Sequence, residues 1–130
     1  MATVSKTWVP DRRDMIWVDF NPQVGAEMKD EHPMLVLSGR AFNERTGLVI
    51  GLPMTHASYN ETNPFAVKYQ GPKGEAGYVL THQPKSFDWR VRGARPHPWK
   101  QLSLSVFEEA CEGLNSIIDL NSKLIDDRLI

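Results

Sequence analysis

Four short groups of residues in this sequence could do chemistry. Glu27 and His32 fall in or beside the polar stretch 23–32. A carboxylate and an imidazole on a loop can trade protons with a substrate, or can simply be solvated. Thr55 and His56 follow an apolar run. Polar side chains at a strand end can bind phosphate oxygens or can serve the turn. His82 and Gln83 stand just before Pro84. A free imidazole titrates near ~6.5, so a histidine there can act as acid or base, or can be a structural hydrogen-bonding group. Lys85, Arg90 and Arg92 interleave with Trp89. Cations beside an aromatic ring suit a track for single-stranded nucleic acid, and equally a solvated strand edge. No metal site is expected. Cys111 is the single cysteine, and the histidines at 32, 56, 82 and 97 show no close ligand pairing. Neither a phosphate-cradling glycine loop nor a nucleophile elbow is present.

The elements that must position these groups are mostly short strands. Asp14–Phe20 alternates Ile16, Val18 and Phe20 on one side, as a half-buried strand does, and Asn21-Pro22 ends it. Pro33–Leu37 is an apolar run opened by proline, and 38–46 reads as a helical turn anchored by Phe42. Gly47–Pro53, Phe65–Tyr69 and Gly77–Thr81 read as further strands, with 58–64 a loop and 70–74 a turn. Trp89–Arg92 alternates and reads as a sixth strand. After this the period changes. Ser105 and Glu108 form a capping-box pattern, and Phe107, Ala110, Cys111, Leu114, Ile117 and Ile118 recur at helical spacing. Gly113 weakens that helix by about 1 kcal/mol relative to alanine. Leu124, Ile125 and Arg128 keep its phase, which extends the helix towards the tail. Ile117 and Ile118 are expected to be buried, against the sheet or a partner subunit. Many short strands followed by one amphipathic helix imply a small, strongly bent sheet or barrel with a helix packed on it.

Composition sets the limits. With 41% hydrophobic and 24% charged residues, the 130-residue chain is an ordinary globular domain rather than a disordered or membrane protein. It reads as one domain over residues 1–130, with a core at about 9–120 and a tail at 121–130. No apolar run is long enough to span a bilayer, the N-terminus lacks a signal-peptide core, and one cysteine allows no intrachain disulfide; the cytoplasm is the expected location. A chain this small gains stability by dimerising. A net charge of −1 argues against broad binding of duplex DNA, but not against a local basic patch. The stretch 85–100 carries Lys85, Arg90, Arg92, Arg95 and Lys100 against Asp88, whereas 108–127 is mostly acidic.

In order and spacing, these pieces resemble one family. Asp14–Pro22 (DMIWVDFNP) is similar to the opening strand of MazF/PemK toxins, and Gly25-Ala-Glu27 followed by His32–Ser38 (HPMLVLS) resembles their Gly-x-Glu, Arg-Pro and apolar strand ending in serine. Phe42-Asn43, Thr46-Gly47, Pro53-Met-Thr55 and Asn63-Pro-Phe65 follow the family order. Gly77–Arg92 (GYVLTHQPKSFDWRVR) resembles the family's Gly-x-x-x-x-Asp-Gln-x-Lys-Ser-x-Asp-Trp-Arg-Ala-Arg.

The resemblance implies a mainly β fold: a small SH3-like barrel with added short helices and a C-terminal amphipathic helix, assembled as a homodimer. It implies the toxin of a type II toxin–antitoxin system, an endoribonuclease that cuts single-stranded RNA through attack of the ribose 2′-OH, without metal or other cofactor. A cognate antitoxin is the implied protein partner, and DNA is reached only indirectly, through that antitoxin. The implied catalytic set is Glu27, His32, Thr55 and His82, with His56, Gln83, Lys85, Arg90 and Arg92 on the RNA. Two departures bear on this. His32 stands where the family has arginine, and His82 where it has aspartate. Two histidines are a competent acid–base pair for this reaction. The competing reading is a catalytically impaired member that serves as an antitoxin-binding, regulatory module.

Overall fold

A computed structural model describes residues 7–21 and 30–120. Seven strands build one antiparallel, curled sheet: β1 (Asp14–Asp19), β2 (Glu31–Val36), β3 (Leu48–Thr55), β4 (Ala66–Gln70), β5 (Ala76–Leu80), β6 (Lys85–Asp88) and β7 (Arg95–Gln101). Their order is β4-β5-β3-β2-β1-β7. β6 pairs with the first half of β3, on the side where β5 pairs with its end. Helix α1 (Arg40–Thr46) joins β2 to β3, a 3-10 turn (Ser58–Thr62) joins β3 to β4, and α2 (Leu104–Ile118) follows β7.

Side chains alternate across a strand, so each face of the sheet gathers its own core. Ile16, Val18, Phe20, Met34, Val36, Val49, Phe87 and Trp89 pack on one face. Met15, Leu35, Leu52, Met54, Val67, Tyr69, Val79 and Leu102 pack on the other, under Val106, Phe107, Ala110 and Leu114 of α2. The expected mainly β architecture with a C-terminal helix is therefore what forms. Gly113 sits at a crossing where a Cβ would lie 3.0 Å from Cγ2 of Thr81. The weak point in the helix is thus also a point of close contact with Thr81, just past β5.

Several local expectations are corrected. The sixth strand is 85–88, not 89–92. The Asp88 carboxylate accepts from the N–H groups of Arg90 and Val91 and turns the chain there. β7 lies over a segment with Pro96 and Pro98; it is tolerated because it is the sheet edge. Residues 58–62 form a 3-10 turn rather than an irregular loop. Helix α2 is capped by Ser103, whose hydroxyl accepts from Val106 N–H, and not by Ser105 with Glu108. Leu102 is drawn into the core, which leaves Ser103 as the first residue free to turn. The helix ends at Asp119 in the left-handed region; Leu124, Ile125 and Arg128 lie outside the described residues. Ile117 and Ile118 are 43% and 45% exposed in the protomer, because Val106, Phe107, Ala110 and Leu114 already fill the contact with the sheet. In α1 the anchor is Asn43, fully buried, and not Phe42, which is 40% exposed. The Asn43 amide donates to the Pro10 and Ser38 carbonyls, and its own carbonyl accepts from the Trp89 indole.

Candidate active site

His32 lies on β2 opposite Val18, on the face that carries Met34 and Val36. Its partly buried ring meets the edge of Phe20 at 6.0 Å. Thr55 is the last residue of β3, not the first after it, and stands opposite Tyr78 of β5. Its hydroxyl accepts from Ala57 N–H at 3.2 Å, which fixes the oxygen at the strand end. β2 and β3 pair as Val36↔Gly51, Leu35↔Leu52 and Met34↔Pro53. His32 lies two residues before Met34 and Thr55 two after Pro53, both beyond the last pair of that register. A Cβ at Gly51 would lie 2.3 Å from the Leu35 carbonyl oxygen, so only glycine lets the two strands come this close. Tyr78 in turn pairs with Lys68 on β4. Two short rows result: Val18 with His32, and Thr55 with Tyr78 and Lys68.

His82 and Gln83 enter from the other side of β3. Val79 pairs with Met54 and Lys85 with Gly51, so residues 80–84 bulge outward against residues 52–53. The bulge is tied down by Thr81, whose N–H and hydroxyl both donate to the Phe65 carbonyl, at 3.0 and 2.6 Å. His82 is exposed and lies against the ring of Phe65. The Gln83 amide nitrogen is 3.2 Å from His82 Nε2. Gln83 Oε1 is buried without a donor, which costs about 1–3 kcal/mol until a group supplies one. The two histidines therefore flank the second half of β3, His32 from β2 and His82 from the bulge.

The other expected residues distribute differently. Lys85 pairs with Gly51 and lies on the face of Phe87. His56 points to the helix side: its Nδ1 is 2.8 Å from the Ala76 carbonyl, and its ring meets Tyr69 and Trp99. Arg90 lies over Trp89, with its guanidinium 4.4 Å from the ring centroid, and donates to the Glu44 carbonyl. Arg92 lies over Phe87 and donates to the Asp19 and Asn21 carbonyls. It braces the chain where β1 leads into residues 22–29. Glu27 falls in that segment, outside the described residues. Among the described residues, no three His, Cys, Asp or Glu side chains gather closely enough to hold a metal ion.

Sequence reasoning missed the surroundings of Thr55. Tyr78 donates to Glu61 of the 3-10 turn at 2.5 Å, and Lys68 reaches the other Glu61 oxygen at 3.0 Å. The Tyr78 hydroxyl, then the Lys68 ammonium, holds the Glu61 carboxyl below the usual carboxylate range. The spacing of Tyr78 and Lys68 in neighbouring strands was available in the sequence; the fold of 58–62 over them was not.

Residues 11–118 match the family of PemK-like, MazF-like toxins of type II toxin–antitoxin systems. The chain belongs to the PemK/MazF toxin family. It is 41% identical over 87 residues to the endoribonuclease toxin MazF of Escherichia coli (strain K12), a match covering 67% of this chain and 76% of the relative. The crystal structure of MazF from Deinococcus radiodurans superposes with a TM-score of 0.78 at 34% identity, over 87% of this chain and 99% of that one. A MazE–MazF structure from the same organism superposes with a TM-score of 0.70 at 31% identity, covering 85% and 96% of the two chains. The PemK/MazF fold thus spans nearly all of the described residues.

Proposed function

We propose that this PemK/MazF protein is the toxin of a type II toxin–antitoxin system and an endoribonuclease that cleaves single-stranded RNA by 2′-OH attack, without a metal ion. The observation that carries this reading is the placement of His32 on β2 and His82 on the bulge, on opposite flanks of β3, with Thr55 at the end of that strand. In-line attack needs a base on one side of the phosphorus and an acid on the other. In this reading neutral His82 takes the proton of the 2′-OH as its oxygen bonds to phosphorus. Protonated His32 gives a proton to the 5′-oxygen as the P–O5′ bond breaks. The products are a 2′,3′-cyclic phosphate and a free 5′-OH. Thr55 donates to a non-bridging oxygen, where charge accumulates, and Glu27 favours the charged histidine.

RNA fits this chemistry because it brings its own nucleophile, so the protein supplies only position and protons. Gln83, Lys85, Arg90 and Arg92 contact the RNA outside the reacting centre. The protein acts as a homodimer in the cytoplasm, with Ile117 and Ile118 on the subunit interface. Its protein partner is a cognate antitoxin, in keeping with relatives solved as MazE–MazF complexes, and it meets DNA only through that antitoxin.

The test is purified protein with a long single-stranded RNA in EDTA, with the new ends mapped. Cyclic-phosphate and 5′-OH ends at a short recurring motif are expected. Dependence on a divalent ion, or 5′-phosphate ends, would contradict the mechanism. No cleavage together with antitoxin binding would favour the regulatory module.

A further inference from the structure

Phe65 carries no acid, base or charge, yet it is held as firmly as any group near the bulge. Its N–H donates to Asn63 Oδ1 at 3.0 Å, and its carbonyl accepts both bonds from Thr81. Asn63 is fixed in turn by the buried Asn60, whose amide donates to the Ala57 carbonyl. A chain of short-range hydrogen bonds thus presents the ring from a rigid base. The ring itself is 46% exposed. His82 lies beside it with centroids 5.5 Å apart and planes 33° from parallel. An exposed phenylalanine alone means little. One with a clamped backbone, beside a tilted histidine ring at the candidate reacting centre, is a platform for another flat ring.

We propose that Phe65 and His82 form a stacking platform for one nucleobase of the RNA, next to the scissile step. The base lies on the solvent-exposed part of the phenylalanine ring, next to the His82 imidazole. Aromatic stacking tolerates any base, because each has a π-face. The platform therefore anchors a splayed nucleotide and leaves the choice of base to polar groups. It also couples binding to chemistry, since the sugar of a base held there enters beside the imidazole. This inference rests on the endoribonuclease reading and adds a binding residue to it.

The experiment uses the intact protein and a set of oligoribonucleotides spanning the mapped cleavage step. The reacting 2′-OH is removed so that the RNA survives, and each RNA is abasic at one position. With the unsubstituted protein, one position is expected to lose most affinity when abasic. Phe65→Ala should weaken binding of the unmodified RNA by about 5–150-fold. It should add nothing for the RNA abasic at the stacked position, because the same contact is already gone. Phe65→Trp should retain binding. Phe65→Leu, which keeps apolar bulk but no flat face, should behave like alanine. Additive losses at every position, or parental affinity in the leucine variant, would overturn the platform while leaving the cleavage reading intact. A parent protein that cuts no RNA would overturn both.

Discussion

The two faces of the sheet hold the same residue type in opposite circumstances. On the helix side, His97 is 8% exposed, stacked on Trp17 at 5.0 Å and against Trp99 at 5.1 Å, and its Nδ1 accepts from Trp99 N–H. His56 on that side is committed to the Ala76 carbonyl. On the other side, His32 touches the edge of Phe20, and at the bulge beside β3 His82 lies exposed against Phe65. Burial between two indole rings makes His97 a structural group, whereas the partly buried His32 and the exposed His82 can reach a substrate. Residue type nominates a site, but strand parity and prior commitments select it.

The largest expected effect separates the faces by rate. His32→Ala and His82→Ala should each slow single-turnover cleavage by about 10²–10⁴-fold. His56→Ala and His97→Gln should leave the chemical step within a few-fold. A helix-side variant with a loss as large as His32→Ala would erase the distinction. Stability should divide the other way. Leu35→Ala, in the helix-side core, should cost about 2–5 kcal/mol in urea unfolding, with the folded fraction still cutting at the parental rate. Arg92→Ala should lower the salt dependence of RNA binding by about one phosphate contact and also cost stability, because the same guanidinium holds the end of β1. An unchanged salt slope with reduced stability would make it purely a brace.

The smallest effect concerns pH. Burial, and then the charge of nearby His56, holds the His97 imidazole below its usual range. Between that lowered value and the ordinary ~6.5, the unfolded chain binds a proton that the folded chain refuses. The contribution is therefore complete above about pH 6.5 and is lost as the pH falls below it. Melting temperature should drop from pH 7.5 to 5.5, and less steeply in His97→Gln; parallel curves would assign the drop to other groups.

Where alternation and turn residues agreed, as in β1 through β5, the strands were legible to within a few residues. Trp89–Arg92 misled because its alternation is real but the Asp88 side chain outcompetes the ladder. β7 was hidden by Pro96 and Pro98, which an edge strand tolerates and an interior one does not. Helical phase marked Ile117 and Ile118 as apolar-face residues, but phase cannot say where the surface beneath a helix is already filled. Of the candidate site, His32, Thr55 and His82 were readable as types in order. Their convergence needed the register of β2 on β3 and the bulge at 80–84. Phe65 was invisible as a site residue, since exposure of a clamped ring is a property of the fold.

The central claim is that two histidines on either flank of β3 move the protons. The pH profile of single-turnover cleavage, taken for the parent, His32→Ala and His82→Ala, tests it most directly. The parent should give a bell, with one limb for the imidazole that must be neutral and one for the imidazole that must be charged. Each alanine variant should lose its own limb along with most of the rate. An intact bell at near-parental rate in both variants would contradict the account and move the chemistry to Glu27 and Thr55.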